Sequence, residues 1–239
     1  MNPFFTKPAC WLVLSAAMVC PWGVFAQSAA YPTKTLRLIV PFPAGGGTDT
    51  MARTLGDLLS KDLGQTVVIE NKAGAGTVIG NDAVAKSAPD GHTLLINTNA
   101  FAAVVALQTK LPYAGEGAFS AVTLLGRAPN VAVVNSDSPL KSGADFMNYA
   151  KANPGKLSYG SAGNGTSTHL AAELLKSNSQ FFVTHIPYRG ATPAITDLMG
   201  GQVDVVFGTL PSVAPFIASG KLRALAVTSA TRSPLLPTV

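Results

Sequence analysis

The stretch LRLIVPFPAGGGTDTMA, residues 36–52, joins an apolar strand-like run to three consecutive glycines and then to a helix-like segment. Strand, glycine loop and helix in that order open a βαβ unit, whose next strand returns parallel to the first. The loop also has a chemical use. Glycines let the backbone approach a ligand closely, and the first-turn N–H groups of the following helix have no internal partners. Together with the helix dipole, those N–H groups form a site for an anion.

The loop has an echo. Read from Gly45 it is Gly-Gly-Gly-Thr-Asp-Thr; read from Gly163, within YGSAGNGTSTHLAAELL, it is Gly-Asn-Gly-Thr-Ser-Thr. Both fit Gly-x-Gly-Thr-x-Thr, follow a strand candidate and open a helix candidate. Thr48, Thr50, Thr166, Ser167 and Thr168 surround the loops with hydroxyls. Two such loops facing each other suit a small molecule with a carboxylate at one or both ends. Hydrogen bonds to a charged group contribute roughly 1.5–3 kcal/mol each, and micromolar binding requires about 8 kcal/mol, so a few converging donors suffice. The plain alternative is that the glycines only turn the chain.

Other chemistries fit less well. AGGGTD lacks the Gly-x-x-x-x-Gly-Lys-Ser/Thr pattern of a P-loop and the spacing of a dinucleotide fingerprint. YGSAG departs from the Gly-x-Ser-x-Gly nucleophile elbow because Tyr159 stands in place of the first glycine. A serine hydrolase using Ser161 or Ser167 with His169 is therefore the weakest reading. His92, His169 and His185 lack paired metal-ligand spacing, so neither a metal nor a cofactor is expected. His169 falls in the first turn after the second loop, where it either bonds within its own lobe or meets the ligand. Asp49 either caps the first helix or accepts from a ligand ammonium group, which would admit amino acids as ligands.

Strands are expected at 36–40, 67–71, 93–97, 131–135, 158–160, 182–186, 204–208 and 223–228, alternating with amphipathic segments. The first helix starts near Thr48, with Met51, Leu55, Leu58, Leu59 and Leu63 as its apolar face. Another starts at Ser142 with Asp145 three residues on, a capping-box variant, and stops before Asn153. A third, 192–199, ends at Gly200 and Gly201, where a left-handed cap forms readily.

At the N-terminus Lys7, the apolar run ACWLVLSAAMVC and the small residues of VFA read as a secretory signal cut after Ala26. Met18 and Val19 before Cys20 argue against a lipid anchor. Cys10 and Cys20 both precede the cut, so neither a disulfide nor a thiolate metal site is expected in the mature chain. The 17 basic and 12 acidic residues, less Lys7, leave a mild +4. No Lys/Arg cluster suggests nucleic acid, and the 12% of charged residues is about half the usual quarter.

YPTKTLRLIVPFPAGGGTDTMAR, VVIENKAGAGTVIGNDAVAKSAPDGHTLL, NPGKLSYGSAGNGTSTHLAAELL, HIPYRGATPAITDLMGGQVDVVF and GKLRALAVTSATRSPLLP together resemble the Bug-type, TctC-like periplasmic receptors of tripartite tricarboxylate transporters. The resemblance implies an α/β Venus flytrap of two lobes, each a mainly parallel or mixed sheet flanked by helices. It places lobe 1 at 27–128, lobe 2 at 129–222 and a strand returning to lobe 1 at 223–239. It implies that a small carboxylate is held by the loop with Phe42, Ala44, Gly45, Gly46 and Asp49. The facing loop carries Ser161, Gly165, Thr166, Ser167 and His169, and Thr98, Asn99 and Tyr188 border the cleft. Backbone amides and ordered waters are the expected contacts. The implied partners are the transporter's membrane components, with a sensor-kinase ectodomain as the alternative. Members of this family continue beyond RSPLLPTV, so the resemblance also implies an incomplete first lobe that aggregates or binds poorly.

Overall fold

The computed structural model describes residues 30–239; the expected signal segment, with Lys7, Cys10, Cys20 and the cut after Ala26, lies outside them. The first half runs β1 (Leu36–Val40), α1 (Gly47–Leu63), β2 (Val67–Asn71), α2 (Val78–Ala85), β3 (Thr93–Leu95) and α3 (Ala100–Leu107). Its three strands form a parallel sheet in the order β2-β1-β3. Leu36 pairs with Val67, and Arg37 with Thr93. Central β1 is buried apart from Arg37, as a strand covered on both faces must be. The Arg37 guanidinium instead meets Glu70 across the β1–β2 pair, with Nε 2.6 Å from Oε1.

Helix α1 lies on this sheet through Leu55 of the expected apolar face and through two small residues outside that face. Ala52 and Gly56 are buried one turn apart, whereas Met51, Leu58 and Leu63 are exposed. A Cβ on Gly56 would stand 2.9 Å from Ile69 Cδ1, so the missing side chain is what lets α1 approach β2. Leu38, Val40, Ala52 and Ile96 form the core of this half.

The second half runs β4 (Asn130–Asn135), α4 (Gly143–Ala152), β5 (Ser158–Ser161), α5 (Ser167–Ser179), β6 (Thr184–Pro187), α6 (Ala191–Met199), β7 (Val205–Thr209), α7 (Leu210–Ala218) and β8 (Leu222–Val227). These strands make a mixed sheet ordered β6-β5-β7-β4-β8, in which β5 runs parallel to β6 and β7 while β4 runs antiparallel to β7 and β8. Side chains of β4 alternate between two cores. Ala132 and Val134 join Phe146, Tyr159 and Phe207 on one face, while Val131 and Val133 join Ile195, Leu198 and Val213 on the other. The expected return of the last strand to the first lobe is corrected here. β8 adds to the second sheet beside β4, with Val131 opposite Val227 and a register shift at Ala132/Val133.

Helix ends follow their caps. Ser142 Oγ accepts from Asp145 N–H at 3.1 Å, as the expected cap requires, while Asp145 Oδ2 reaches one residue further back than in a capping box and accepts from Lys141 N–H at 3.0 Å. At the end of α6 the left-handed residue is Gly201, with φ 70, while Gly200 stays right-handed with φ −83.

Strand β3 is an edge of the three-stranded sheet, and an open groove of about 870 Å³ runs beside it, bordered by residues including Phe101, Phe119 and Val122. Val122 and Leu124 are 83% and 68% exposed. Open strand edges and contiguous apolar surface both promote association. The double substitution V122S/L124S is expected to increase the monomer fraction in size-exclusion chromatography without lowering the melting temperature. An unchanged elution profile would show that this surface does not drive association.

Candidate functional site

Four strand-to-helix turns converge: β1 to α1, β5 to α5, β6 to α6 and β7 to α7. All leave the carboxyl ends of strands, where open α/β sheets place their ligands. Two adjoining cavities lie among them. One of about 40 Å³ is lined by Phe42, Gly47, Thr48 and Thr98 of the first half and by Ser167, Thr168 and others of the second. Its neighbour, of about 220 Å³, is lined by Gly76, Thr77, Asn164, Tyr188 and Arg189 among others. Phe42, Ala162 and Thr166 line both. Both volumes are below the roughly 300–1,000 Å³ of pockets for drug-sized ligands, which suits a small solute.

The smaller cavity is where the two glycine loops meet. Gly46 and Thr166 are the N-caps of α1 and α5, both in extended backbone. The first backbone bonds that close these helices run from Thr50 N–H to Gly46 O and from Leu170 N–H to Thr166 O. Among the described residues, the N–H groups of Gly47, Thr48, Ser167 and Thr168 have no acceptor. All four residues line the same cavity, so two helix N-termini open onto one small volume. A carboxylate fits that volume in size and charge.

Several other expected site residues stand behind this surface and shape it. Asp49 is buried, and its carboxylate is engaged within its own half: Oδ2 accepts from Gly45 N–H and Arg53 Nε, each at 2.9 Å. Oδ1 accepts from Asn71 Nδ2 at 2.8 Å and Arg53 Nη2 at 3.0 Å. Burial alone would raise its pKa, but the bonds from Arg53, Gly45 and Asn71 and the charge of Arg53 outweigh burial and hold it below the ordinary carboxylate value. A carboxylate has about four lone-pair sites, and all are used within the protein, so of the two readings of Asp49 the geometry favours the one that ties the helix start over the one that meets a ligand ammonium. Asp49 ties down the first loop. Ala44 O accepts from Thr192 Oγ1 at 3.3 Å, a contact between the halves.

The second loop is tied similarly. Gly165 N–H donates to His169 Nδ1 at 3.2 Å, so this amide and this ring nitrogen satisfy each other. Ser161 is fully buried; its Oγ lies 2.7 Å from His185 Nε2 and accepts from Gly163 N–H at 3.1 Å. The His185 ring stacks between those of Tyr159 and His169, with centroids at 4.6 and 4.3 Å. Burial, then the neighbouring His169 charge, push the His185 pKa down to about 4, leaving it neutral at neutral pH. The hydrolase reading paired Ser161 or Ser167 with His169. The structure pairs Ser161 with His185 and encloses it, while Ser167 Oγ donates to Asn130 Oδ1 at 3.2 Å.

Of the expected site residues, Phe42, Gly46, Thr98, Thr166, Ser167 and Tyr188 line a cavity. Ala44 and Gly45 are exposed residues of the first loop that line neither cavity, Asp49, Ser161, Gly165 and His169 are behind the loops, and exposed Asn99 caps α3 away from both cavities. Tyr188 Oη donates to Asp197 Oδ2 at 2.7 Å; burial, then this bond, push its pKa up to about 12. Sequence reasoning missed Thr209 and Ser212 at the start of α7, whose hydroxyls bond each other at the smaller cavity. It also missed the turn before α2, where Ala75 and Thr77 take φ values of 47 and 91 beside the larger cavity. Positive φ is a genuine outlier for a β-branched residue, and such strain clusters at ligand sites.

Residues 51–239 match the family model described as tripartite tricarboxylate transporter family receptor, TctC. A relative from Pseudomonas sp. (strain P51), the UPF0065 protein in the tcbD-tcbE intergenic region, is 41% identical over 88% of this chain and 62% of its own length. The chain thus spans somewhat less than two thirds of that relative. The solved structure of R. palustris Rpa4515 with adipate superposes at TM-score 0.83 with 36% identity, covering 87% of this chain and 70% of that one. MatC from Rhodopseudomonas palustris with bound malate gives TM-score 0.80 and 34% identity, covering 87% and 71%. With this match running from within α1 through the second glycine loop to the last residue, most of the chain, the chain belongs to the tripartite tricarboxylate transporter receptor family.

Proposed function

We propose that this protein is a periplasmic receptor that captures a small carboxylate and presents it, unaltered, to the membrane components of a tripartite tricarboxylate transporter. The observation that carries the reading is the pair of helix N-termini, Gly47–Thr48 and Ser167–Thr168, opening onto one cavity with their N–H groups unpaired. Two relatives solved with adipate and malate support carboxylate as the ligand class. Neither cavity is lined by an Asp or Glu that could meet an ammonium group, which favours plain di- or tricarboxylic and aromatic acids over acidic amino acids. Capture follows from a population shift. A ligand that bonds amides of both halves stabilises the arrangement in which those halves meet and stabilises no other. Ser161 is buried and bonded to His185, which counts against the serine-hydrolase reading and favours a clamp that leaves its ligand unaltered.

A thermal-shift screen of small carboxylic acids tests this reading. Dicarboxylates are expected to raise the melting temperature in a concentration-dependent way, as any ligand of the native state does. Native mass spectrometry should recover the bound acid with unchanged mass. A screen in which no carboxylate produces a shift would overturn the proposal.

A further inference from the structure

The two cavities are lined by glycine, apolar, hydroxyl and amide residues except at one place. Arg189 lines the larger cavity and is the only described residue with a formal charge in either lining. It is exposed and enters no ion pair among the described residues. Its backbone is held from both sides. Tyr188 N–H donates to Ser161 O at 3.1 Å, and a Cβ on Gly163 would lie 2.8 Å from Tyr188 O, so the residue before Arg189 is pressed against the second loop. The residue after it, Gly190, has φ 149, and a Cβ there would fall 2.5 Å from Pro43 Cδ of the first loop. Arg189 therefore stands at the seam between the two loops.

We propose that Arg189 pairs with a second acidic group on the ligand, so that the receptor selects acids charged at both ends over monoanions of the same length. The inference rests on the carboxylate-capture reading and extends it. One carboxylate occupies the four unpaired amides of the smaller cavity. The carbon skeleton passes Phe42, Ala162 and Thr166, which border both cavities, and the far carboxylate meets the guanidinium. A guanidinium offers two parallel N–H donors that match the two oxygens of a carboxylate. A monoanion fills the amide end equally well and leaves Arg189 in water, so the charge discriminates at the far end alone.

Calorimetric titration of the full chain with adipate and with hexanoate, a chain of equal length bearing one carboxylate, provides the test. The unsubstituted protein is expected to prefer adipate. R189Q should weaken adipate binding about tenfold while changing hexanoate binding less than about twofold, and R189K should keep most of the preference. Because Arg189 is exposed and makes no ion pair, ligand-free melting should be the same in all three, which separates lost selectivity from lost folding. An adipate-to-hexanoate ratio unchanged in R189Q, or no preference in the unsubstituted protein, would overturn the role of Arg189 and leave carboxylate capture standing. Failure to bind adipate, hexanoate, malate or citrate at all would overturn the capture reading and Arg189 with it.

Discussion

The G163A variant is expected to lose about a hundredfold or more in affinity for small dicarboxylates. Gly163 has φ 121, a conformation that L side chains rarely adopt, and its added Cβ would lie 2.8 Å from the backbone oxygen of Tyr188. Backbone cannot swing aside as a flexible side chain would, so the second loop must shift. That loop carries the unpaired N–H groups of Ser167 and Thr168, and Gly163 itself holds Thr166 through its carbonyl, with Thr166 Oγ1 donating at 2.7 Å. Misplacing two amides that bond a carboxylate forfeits roughly 3–6 kcal/mol at about 1.5–3 kcal/mol each, and 2.7 kcal/mol is already a hundredfold. Titration of malate or adipate measures it. G200A is the control: Gly200 has φ −83 and its Cβ would meet only ordinary contacts at 3.5 Å, so binding should be unchanged. G163A binding within about threefold of the unsubstituted protein would show that the loop is not held as tightly as its contacts indicate.

Much of the fold was legible because the strands are short, mostly rich in β-branched residues and bounded by turn residues. β1 and β2 fall on the expected residues, and the other strands differ by one or two positions. Two things were not legible, for physical reasons. The face of α1 was read from its large apolar residues, of which Leu55 does reach the core, whereas beyond Asp49 the buried positions of the helix are the small ones, Ala52 and Gly56, and Gly56 is where it comes closest to β2. A spacing rule that counts only Leu and Met is blind to close packing through small residues. The sheet that β8 joins depends on pairing between Val131 and Val227, nearly a hundred residues apart in sequence, and no local pattern encodes it.

The site divides the same way. The repeated Gly-x-Gly-Thr-x-Thr pattern located both loops, since glycine freedom and unpaired helix amides are local properties. Which residues face the cavity was not local. Gly45 and Gly165 look like amide donors in the sequence, yet each N–H is bonded to a side chain four residues on, Asp49 and His169 respectively. The available donors are instead those of Gly47, Thr48, Ser167 and Thr168, one step into each helix. Ser161 pairs with His185 from the neighbouring strand, a contact made only when β5 and β6 align. Thr209, Ser212 and Arg189 come from turns with no motif of their own, and only convergence of the strand ends reveals them.

Removing the Asp49 carboxylate should cost more stability than any other single polar change at the site. D49A is expected to lower unfolding free energy by about 2–4 kcal/mol, because it removes the acceptor of the Gly45 N–H and the counter-charge of the Arg53 guanidinium and leaves Asn71 with only its bonds to Phe42 O and Arg53. Arg53 is 53% exposed and recovers water, which keeps the cost below that of a fully buried broken pair. At roughly 2–4 °C per kcal/mol for a chain of this size, melting should fall by about 5–15 °C. The effect depends on pH with a definite sign. The native pKa of Asp49 lies below its unfolded value of about 3.9, so its ionised form contributes stability that is fully present above that value. That contribution disappears as pH falls through the native pKa. Urea unfolding at pH 7, 5 and 3 should therefore show a gap between the unsubstituted protein and D49A that is constant from pH 7 to 5 and smaller at pH 3. Adipate affinity should fall along with stability at pH 7, since the loop that presents Gly47 and Thr48 is the one Asp49 ties down. A gap below about 1 kcal/mol at pH 7 would mean that the loop holds its shape without the carboxylate, and one that persists undiminished at pH 3 would mean that Asp49 acts there without its charge.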